Sequence, residues 1–313
     1  MTENTPALKI TAGRENQRTR PKGYAEWRPQ AKTRAILAQI DDVLRDYEDH
    51  LPLTVRQIFY RLVASYDYEK TELSYNRLAE LLVRARRARL IPFEFIRDDG
   101  VVTYSSPWYA GAEDFWNDTG QRIREYRRDR QAGQRHHIEL WCEAAGMAPQ
   151  LARVADDFSV PVFSSGGFAS LTAVRLIAER ALDRDVPTFL LHVGDYDPSG
   201  ESIFSSIASD AAAFVEADRI IYTLRIHPFR IALTADQVAE YELPTAPPKA
   251  SDSRSESWTG GTCQLEALAP DELATIVRDA IENLFAADVL NRQIEREHDD
   301  VNGLLRALPR GQE

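Results

Sequence analysis

Cysteine is scarce in this chain: Cys142 and Cys263 are the only two in 313 residues. Two thiols without C-x-x-C spacing supply neither a disulfide framework nor a structural zinc site, and they suit a reducing compartment. Long apolar runs are missing as well, since no stretch approaches the roughly 20 residues needed to cross a bilayer. The N-terminus, MTENTPALKITAGRENQRTRPKG, is polar and has no apolar segment of the kind a secretory signal needs. These absences predict a cytoplasmic protein with no membrane partner. Internal repeats are absent too. Net positive charge is lacking, and the formal charge of −11 argues on its face against a polyanionic partner.

That charge is unevenly spread. Residues 1–135 hold 24 Lys and Arg against 20 Asp and Glu, whereas the remainder holds 14 against 29. A slightly basic first part joined to a strongly acidic second part suggests two jobs. A polyanion would meet the first part, and the acids of the second either hold cations or are solvated. A hydrophobic fraction of 43% with 28% charged residues is that of an ordinary globular chain. The length suggests two domains of roughly 150 residues each.

Residues 1–26 are polar and basic and read as a flexible arm. Apolar residues recur at helical spacing from Ala31 to Tyr47. Thr54 is placed to cap a helix over VRQIFYRLVASY, and Ser74 to cap a third over YNRLAELLVRARRARL. FEFIRDDGVVTY then predicts a hairpin around Asp98-Asp99-Gly100. Three helices followed by a hairpin is the order of a winged helix-turn-helix, here over 27–105. Its last helix would present Arg84, Arg86, Arg87 and Arg89 to DNA phosphates, with Arg97 in the wing. A basic linker helix is expected over 106–134, with Arg122, Arg124, Arg127, Arg128 and Arg130 as a second cluster.

From 135 onward the texture changes. HHIELWCE, VPVFSS, VPTFLLHVGD and RIIYTLRI read as strands alternating with helices, which predicts a mainly parallel α/β sheet, followed by C-terminal helices to the end of the chain. The Pro-, Ser- and Gly-rich stretch 242–262 reads as a surface loop, in which Lys249, Asp252 and Arg254 are as well explained by composition as by phosphate contact. Glu143 ends the first strand, and Asp195-Tyr196-Asp197 ends the third. Ligands bind beyond the carboxyl ends of such strands. Three carboxylates facing one point would repel one another unless a cation lay between them, and Mg²⁺ is the natural candidate. An Asp-x-Asp pair alone carries little weight, because surface loops favour Asp. Glu266 is a candidate additional acid.

LWCEAAGM followed by VGDYDPSG resembles the Toprim domain of the DNA topoisomerase VI A subunit and its meiotic double-strand-break relatives. Glu143, Asp195, Asp197, Pro198 and Gly200 match that family's acids and turn, and Ser165-Gly166-Gly167-Phe168 stands at its second-strand loop. The family places a nucleophilic tyrosine in a winged-helix motif of the form V-R-D-x-[FY]-Y, and this chain reads Val55-Arg56-Gln57-Ile58-Phe59-Tyr60. Gln57 departs from the usual aspartate. The resemblance implies a DNA-cleaving and rejoining enzyme, an isomerase or nuclease. Mg²⁺ would be held by Glu143, Asp195 and Asp197, with Glu143 also catalytic. Tyr60 would form a 5′-phosphotyrosyl link, assisted by Arg56. It further implies double-stranded DNA as substrate, a homodimer, a separate ATPase subunit and a nucleoid-associated location. Two alternatives stay open: a Toprim nuclease using water, and a DNA-binding protein that does not cut. By helical spacing alone, Phe59-Tyr60 is equally an aromatic pair in a small core.

Overall fold

The structure, a computed structural model, describes residues 23–97, 106–164, 171–184, 186–218, 226–248, 258 and 260–308. The expected arm up to residue 22, the turn Asp98-Asp99-Gly100 with its return strand, the Ser165–Phe168 loop, and Lys249, Asp252 and Arg254 lie outside the described residues.

The chain is mixed α/β. Four strands, β3 (His137–Cys142), β4 (Val162–Ser164), β5 (Thr188–Val193) and β6 (Ile226–Ala232), form a sheet in the order β4-β3-β5-β6, with every neighbouring pair parallel. Helices α5 (Ala148–Asp156), α6 (Leu171–Leu182) and α7 (Pro198–Asp218) make the crossovers that parallel pairing requires. A sheet covered on both faces buries alternate residues on opposite sides. Ile138, Leu140 and Cys142 of β3 accordingly enter one apolar cluster with α5 and α9 (Pro270–Glu282), while Trp141 enters another with α6 and α7. Glu139, on the Trp141 side, is fully buried. Its charge is held by Arg180 at 2.6 and 2.9 Å and by the Trp141 indole N–H at 3.0 Å.

The N-terminal helices α1 (Ala31–Asp46), α2 (Val55–Tyr66) and α3 (Glu72–Arg87) share the first of these clusters, so they and the sheet have one continuous core. Helix α2 starts where Thr54 and Gln57 cap it reciprocally: Gln57 N–H donates to Thr54 Oγ1 at 3.1 Å, and Thr54 N–H to Gln57 Oε1 at 2.8 Å. The amide nitrogen of the fully buried Gln57 then donates to Gln150 Oε1 of α5 at 2.6 Å. An aspartate at 57 is too short to cap the helix and reach α5 at once. Helix α3 is capped by Thr71, three residues before the expected Ser74, whose N–H donates to Thr71 Oγ1 at 3.1 Å. Of the predicted hairpin, Ile96–Arg97 (β2) is a strand. It pairs in parallel with Leu53–Thr54 (β1).

The linker helix is shorter than expected. It runs as α4 (Ala112–Arg124), and the basic residues beyond it leave the helix to meet α10 (Ala287–Ala307). Arg130 Nη2 lies 2.7 Å from Glu297 and Arg128 Nη1 2.6 Å from Asp300, while Arg122 pairs within α4 to Asp118 at 2.8 Å. Three of the five arginines in the second cluster are thus paired within 3 Å to the chain's own acids rather than offered to a phosphate backbone. Most of the expected RIIYTLRI strand lies outside the described residues; the described strand continues from Ile226 through Pro228 to Ala232.

The Arg130–Glu297 pair is nearly buried, so removing one partner strands the other charge away from water. Glu297→Ala is expected to destabilise the protein by about 3 kcal/mol in urea denaturation. Asp288→Ala, which breaks the exposed pair with Arg292, should leave the denaturation midpoint close to that of the wild type.

Candidate active site

Strands β3 and β5 run side by side with Cys142 opposite Val193, so the residues that leave their carboxyl ends emerge together. Glu143 N–H donates to Val193 O at 3.1 Å, and Gly194 N–H to Ala232 O on β6 at 2.9 Å. Two glycines make room for acidic side chains. A Cβ on Gly194 would stand 2.9 Å from Glu143 Oε2 and from the His192 ring. One on Gly200 would stand 2.7 Å from the Asp195 carbonyl, 3.2 Å from Glu143 Oε2 and 3.3 Å from Asp197 Oδ1. Glu143 and Asp197 therefore crowd the same point, where only hydrogen fits. Asp197 also caps α7: Pro198 opens the helix and Gly200 N–H donates to Asp197 Oδ1 at 2.6 Å. Asp195 turns its Oδ1 the other way, to the N–H of Leu265 at 2.9 Å.

Burial, then the charges of Asp195 and Asp197, push the Glu143 carboxyl up to about 7, against the opposing pull of Arg230. Its Oε2 is buried without a hydrogen-bond partner. Asp195 is likewise raised, by burial first and by Asp197, with the Leu265 N–H working in the opposite direction. Arg230 of β6 lies beneath the acids. Its Nη2 donates to the carbonyls of Asp195 and Gly194, the latter at 3.1 Å, and Nε donates to Leu233 O at 2.8 Å. His192 is stacked on Phe204, and burial followed by the Arg230 charge lowers it to about 3, so it stays neutral.

These are hard oxygen donors, and the orphaned Glu143 Oε2 beside Asp197 is the chemistry a divalent cation of the magnesium kind would satisfy. Among the described residues no three His, Cys, Asp or Glu side chains are gathered closely enough to enclose a metal ion. With Asp195 bonded to Leu265, two acids face one niche and the third stands beside it. The fit is one of donor type, with Asp195 free to join by giving up one hydrogen bond.

Tyr60 reaches this region from α2. Its hydroxyl donates to Gln264 Oε1 at 2.7 Å, and the next residue, Leu265, donates to Asp195. Gln264 and the short turn Leu265–Ala267 that follows it therefore link the phenol to the acid. Tyr60 is only 5% exposed. Burial raises its pKa well above the usual phenol value, Cys263, Glu266 and Asp195 add to this, and Arg56 opposes it. Glu266, in the same turn, is buried and raised by burial and by Asp195. Beside Tyr60 opens a cleft of about 360 Å³ lined by Arg56, Lys70, Tyr75, Asn76 and Gln264. Lys70 stands 5.7 Å over the Tyr60 ring and is anchored to Pro244 O at 2.8 Å.

Of the candidate DNA contacts, Arg84 and Arg89 are exposed and Arg87 and Arg97 half-buried. Arg86, expected on the presented face, is buried with its guanidinium over Phe93 at 5.5 Å, because its position on α3 turns toward the segment after Pro92. Arg89 follows the helix in a left-handed conformation, φ 58°. Arg230, His192 and Gln264 were not singled out from sequence. Arg230 obeys the strand-end logic one strand further on, but Gln264 follows a long polar loop and carries no signal of its own. Among the described residues no helix is long and apolar enough to cross a membrane. Comparison with protein-family models and with curated proteins returns no match for this chain.

Two outcomes test the geometry. Gly200→Ala forces backbone or carboxylate displacement and should cost about 1–3 kcal/mol, read by chemical denaturation. Glu143 holds its proton in the folded state up to about pH 7, whereas the unfolded chain loses it in the ordinary carboxylate range. Its contribution to stability is therefore full at low pH and lost as pH rises through about 7. In chelator, the wild-type Tm should fall between pH 5 and 8 more steeply than that of Glu143→Gln, and Mg²⁺ should restore the wild type at pH 8. Parallel pH profiles for the two proteins would remove Glu143 as the source.

Proposed function

We propose that this chain is a magnesium-dependent DNA-cleaving protein of the topoisomerase VI A type, a winged helix followed by a Toprim domain, acting on double-stranded DNA as a pair of copies. The observation that supports it most is that two adjacent residues, Gln264 and Leu265, hydrogen-bond Tyr60 and Asp195 respectively, so the tyrosine and one acid of the resemblance are linked through a single short segment. Glu143, Asp195 and Asp197 would hold the cation, which when bound supplies positive charge for the phosphate oxygens. The residues of the chain do the rest. Arg56 and Lys70 line the cleft as phosphate partners, Gln264 orients the phenol and accepts its hydrogen bond, and the low exposure of Tyr60 keeps bulk water from its oxygen. As nucleophile, Tyr60 would give its proton to a neighbouring acceptor, attack the phosphorus and displace a sugar oxygen, leaving the strand joined to the protein at a 5′ phosphate. The strain-free ester would conserve the bond for rejoining, and strand passage would need a separate ATPase subunit.

A second reading rests on a specific observation. Tyr60 is buried, hydrogen-bonded and raised in pKa, three features that hold a phenol in its protonated form. They favour water as nucleophile and a hydrolytic Toprim nuclease.

Plasmid cleavage in Mg²⁺ by wild type, Tyr60→Phe and Asp195→Ala, denatured in detergent with and without protease, separates the readings. Protein-linked 5′ ends lost in both variants establish the tyrosine mechanism. Cutting by Tyr60→Phe but not by Asp195→Ala establishes hydrolysis. Absence of cutting by the wild type, alone or with added nucleotide and a candidate ATPase subunit, leaves a protein that binds DNA without cutting it.

A further inference from the structure

A second cleft, of about 460 Å³, opens at the other end of α3 and is lined by Gly23, Tyr24, Val83, Arg86, Arg87 and Phe93. Its walls are unusual for a protein surface. Tyr24 is 60% exposed and Phe93 52%, and the two rings meet edge to face with centroids 6.2 Å apart. Each ring carries a guanidinium: Arg89 lies 4.1 Å from the Tyr24 centroid and Arg86 5.5 Å from that of Phe93. The segment bearing Tyr24 is pinned rather than loose. Arg87 Nη1 donates to Gly23 O at 2.7 Å, and Ala25 N–H to Arg87 O at 3.0 Å.

The position of this cleft relative to Tyr60 follows from helix geometry. Glu72, Tyr75 and Asn76 of α3 line the Tyr60 cleft, and Val83, Arg86 and Arg87 line this one. Each residue of the second set stands eleven positions after its counterpart, close to three whole turns of an α-helix. Both clefts therefore open on the same face of α3, roughly 16 Å apart at 1.5 Å per residue. That is about five nucleotide steps along one strand.

We propose that this aromatic–arginine surface binds unpaired nucleotides of single-stranded DNA, the bases stacking on Tyr24 and Phe93 and the phosphates meeting Arg84, Arg87 and Arg89. The proposal rests on the DNA reading above and extends it to the kind of DNA held beside the cut. Charge complementarity selects the occupant. The exposed cations call for an anion, and the residues up to 22, which carry Lys9, Arg14, Arg18, Arg20 and Lys22 against Glu3 and Glu15, are of the wrong sign to fill the cleft. An acidic peptide would satisfy the arginines but leave the ring faces in water. A duplex keeps its base faces stacked inside, whereas a single strand presents both a phosphate line and flat apolar faces.

Fluorescence anisotropy in chelator tests this with the full-length chain, a labelled oligothymidylate, and an abasic oligomer of the same length and charge. The expected result has three parts. Wild type binds the oligothymidylate about tenfold or more tightly than the abasic oligomer. Tyr24→Ala/Phe93→Ala abolishes that preference. Tyr24→Phe, which keeps the ring, retains it. Unchanged discrimination in the double variant, equal binding of the two oligomers by wild type, or competition by an acidic peptide as strong as by oligothymidylate would overturn the proposal. Plasmid cleavage measured on the same preparations keeps the two ideas apart: base-dependent binding without any cutting leaves the platform standing and the enzyme reading fallen, and cutting without base-dependent binding does the reverse.

Discussion

Like charges held together without water are the constraint around which this fold is arranged. Glu143, Asp195 and Asp197 leave two adjacent parallel strands close to one another, and burial, with their mutual repulsion added, raises the pKa of the first two. The surroundings answer in three ways. Arg230 donates to the backbone carbonyls of Gly194 and Asp195, and its charge offsets that of the acids. The N-terminus of the long helix α7 receives Asp197, where backbone N–H groups and the helix dipole both favour negative charge. Two glycines withdraw their side chains so that carboxylate oxygens can occupy the space.

The joint between the helices and the sheet follows from the same region. Gln57 spends its carbonyl on the α2 cap and its amide on Gln150, and Tyr60, one turn later on α2, meets Gln264. Both contacts issue from one face of a single helix, so α2 is held in register against the turn that also grips Asp195. A shift of α2 along its axis would break the cap, the Gln57–Gln150 bond and the phenol's hydrogen bond together. The position of the tyrosine is thereby coupled to the packing of the whole core, which is continuous across this joint.

What could be read from sequence was what local pattern controls. The alternation of apolar strands with helices gave the parallel sheet, and the acids were placed because strand ends are where such sheets bind ligands. Thr54 announced α2 because its partner Gln57 is three residues away. The errors share a cause in long-range pairing. Arg128 and Arg130 look like an exposed basic run until Asp300 and Glu297, some 170 residues later, are brought beside them. Arg86 has the composition of a phosphate contact, yet the chain after Pro92 folds back over it. Gln264 gives no sequence signal, since its role exists only where α2 passes. Asp197 shows the opposite limit: its match to a metal-binding motif coincides with an ordinary helix start, Asp-Pro-Ser-Gly, and sequence cannot separate the two duties that the one side chain can hold.

The balance between tyrosine and water as nucleophile turns on the same burial that organises the acids. Desolvation favours a neutral phenol and a neutral carboxylic acid alike, so burial raises the pKa of both Tyr60 and Glu143, the latter to about 7. A cation placed among the acids would reverse the sign of the local field, lowering every pKa in its reach. Glu143 would ionise first, because it lies nearest to neutrality. The phenol has further to fall and is linked to Asp195 only through residues 264 and 265, with the Arg56 charge opposing its raised pKa. Tyrosine chemistry therefore demands more of this site than hydrolysis does. On the proposed function, a tyrosine nucleophile would have to surrender the Gln264 hydrogen bond, whereas a water nucleophile would leave that bond in place.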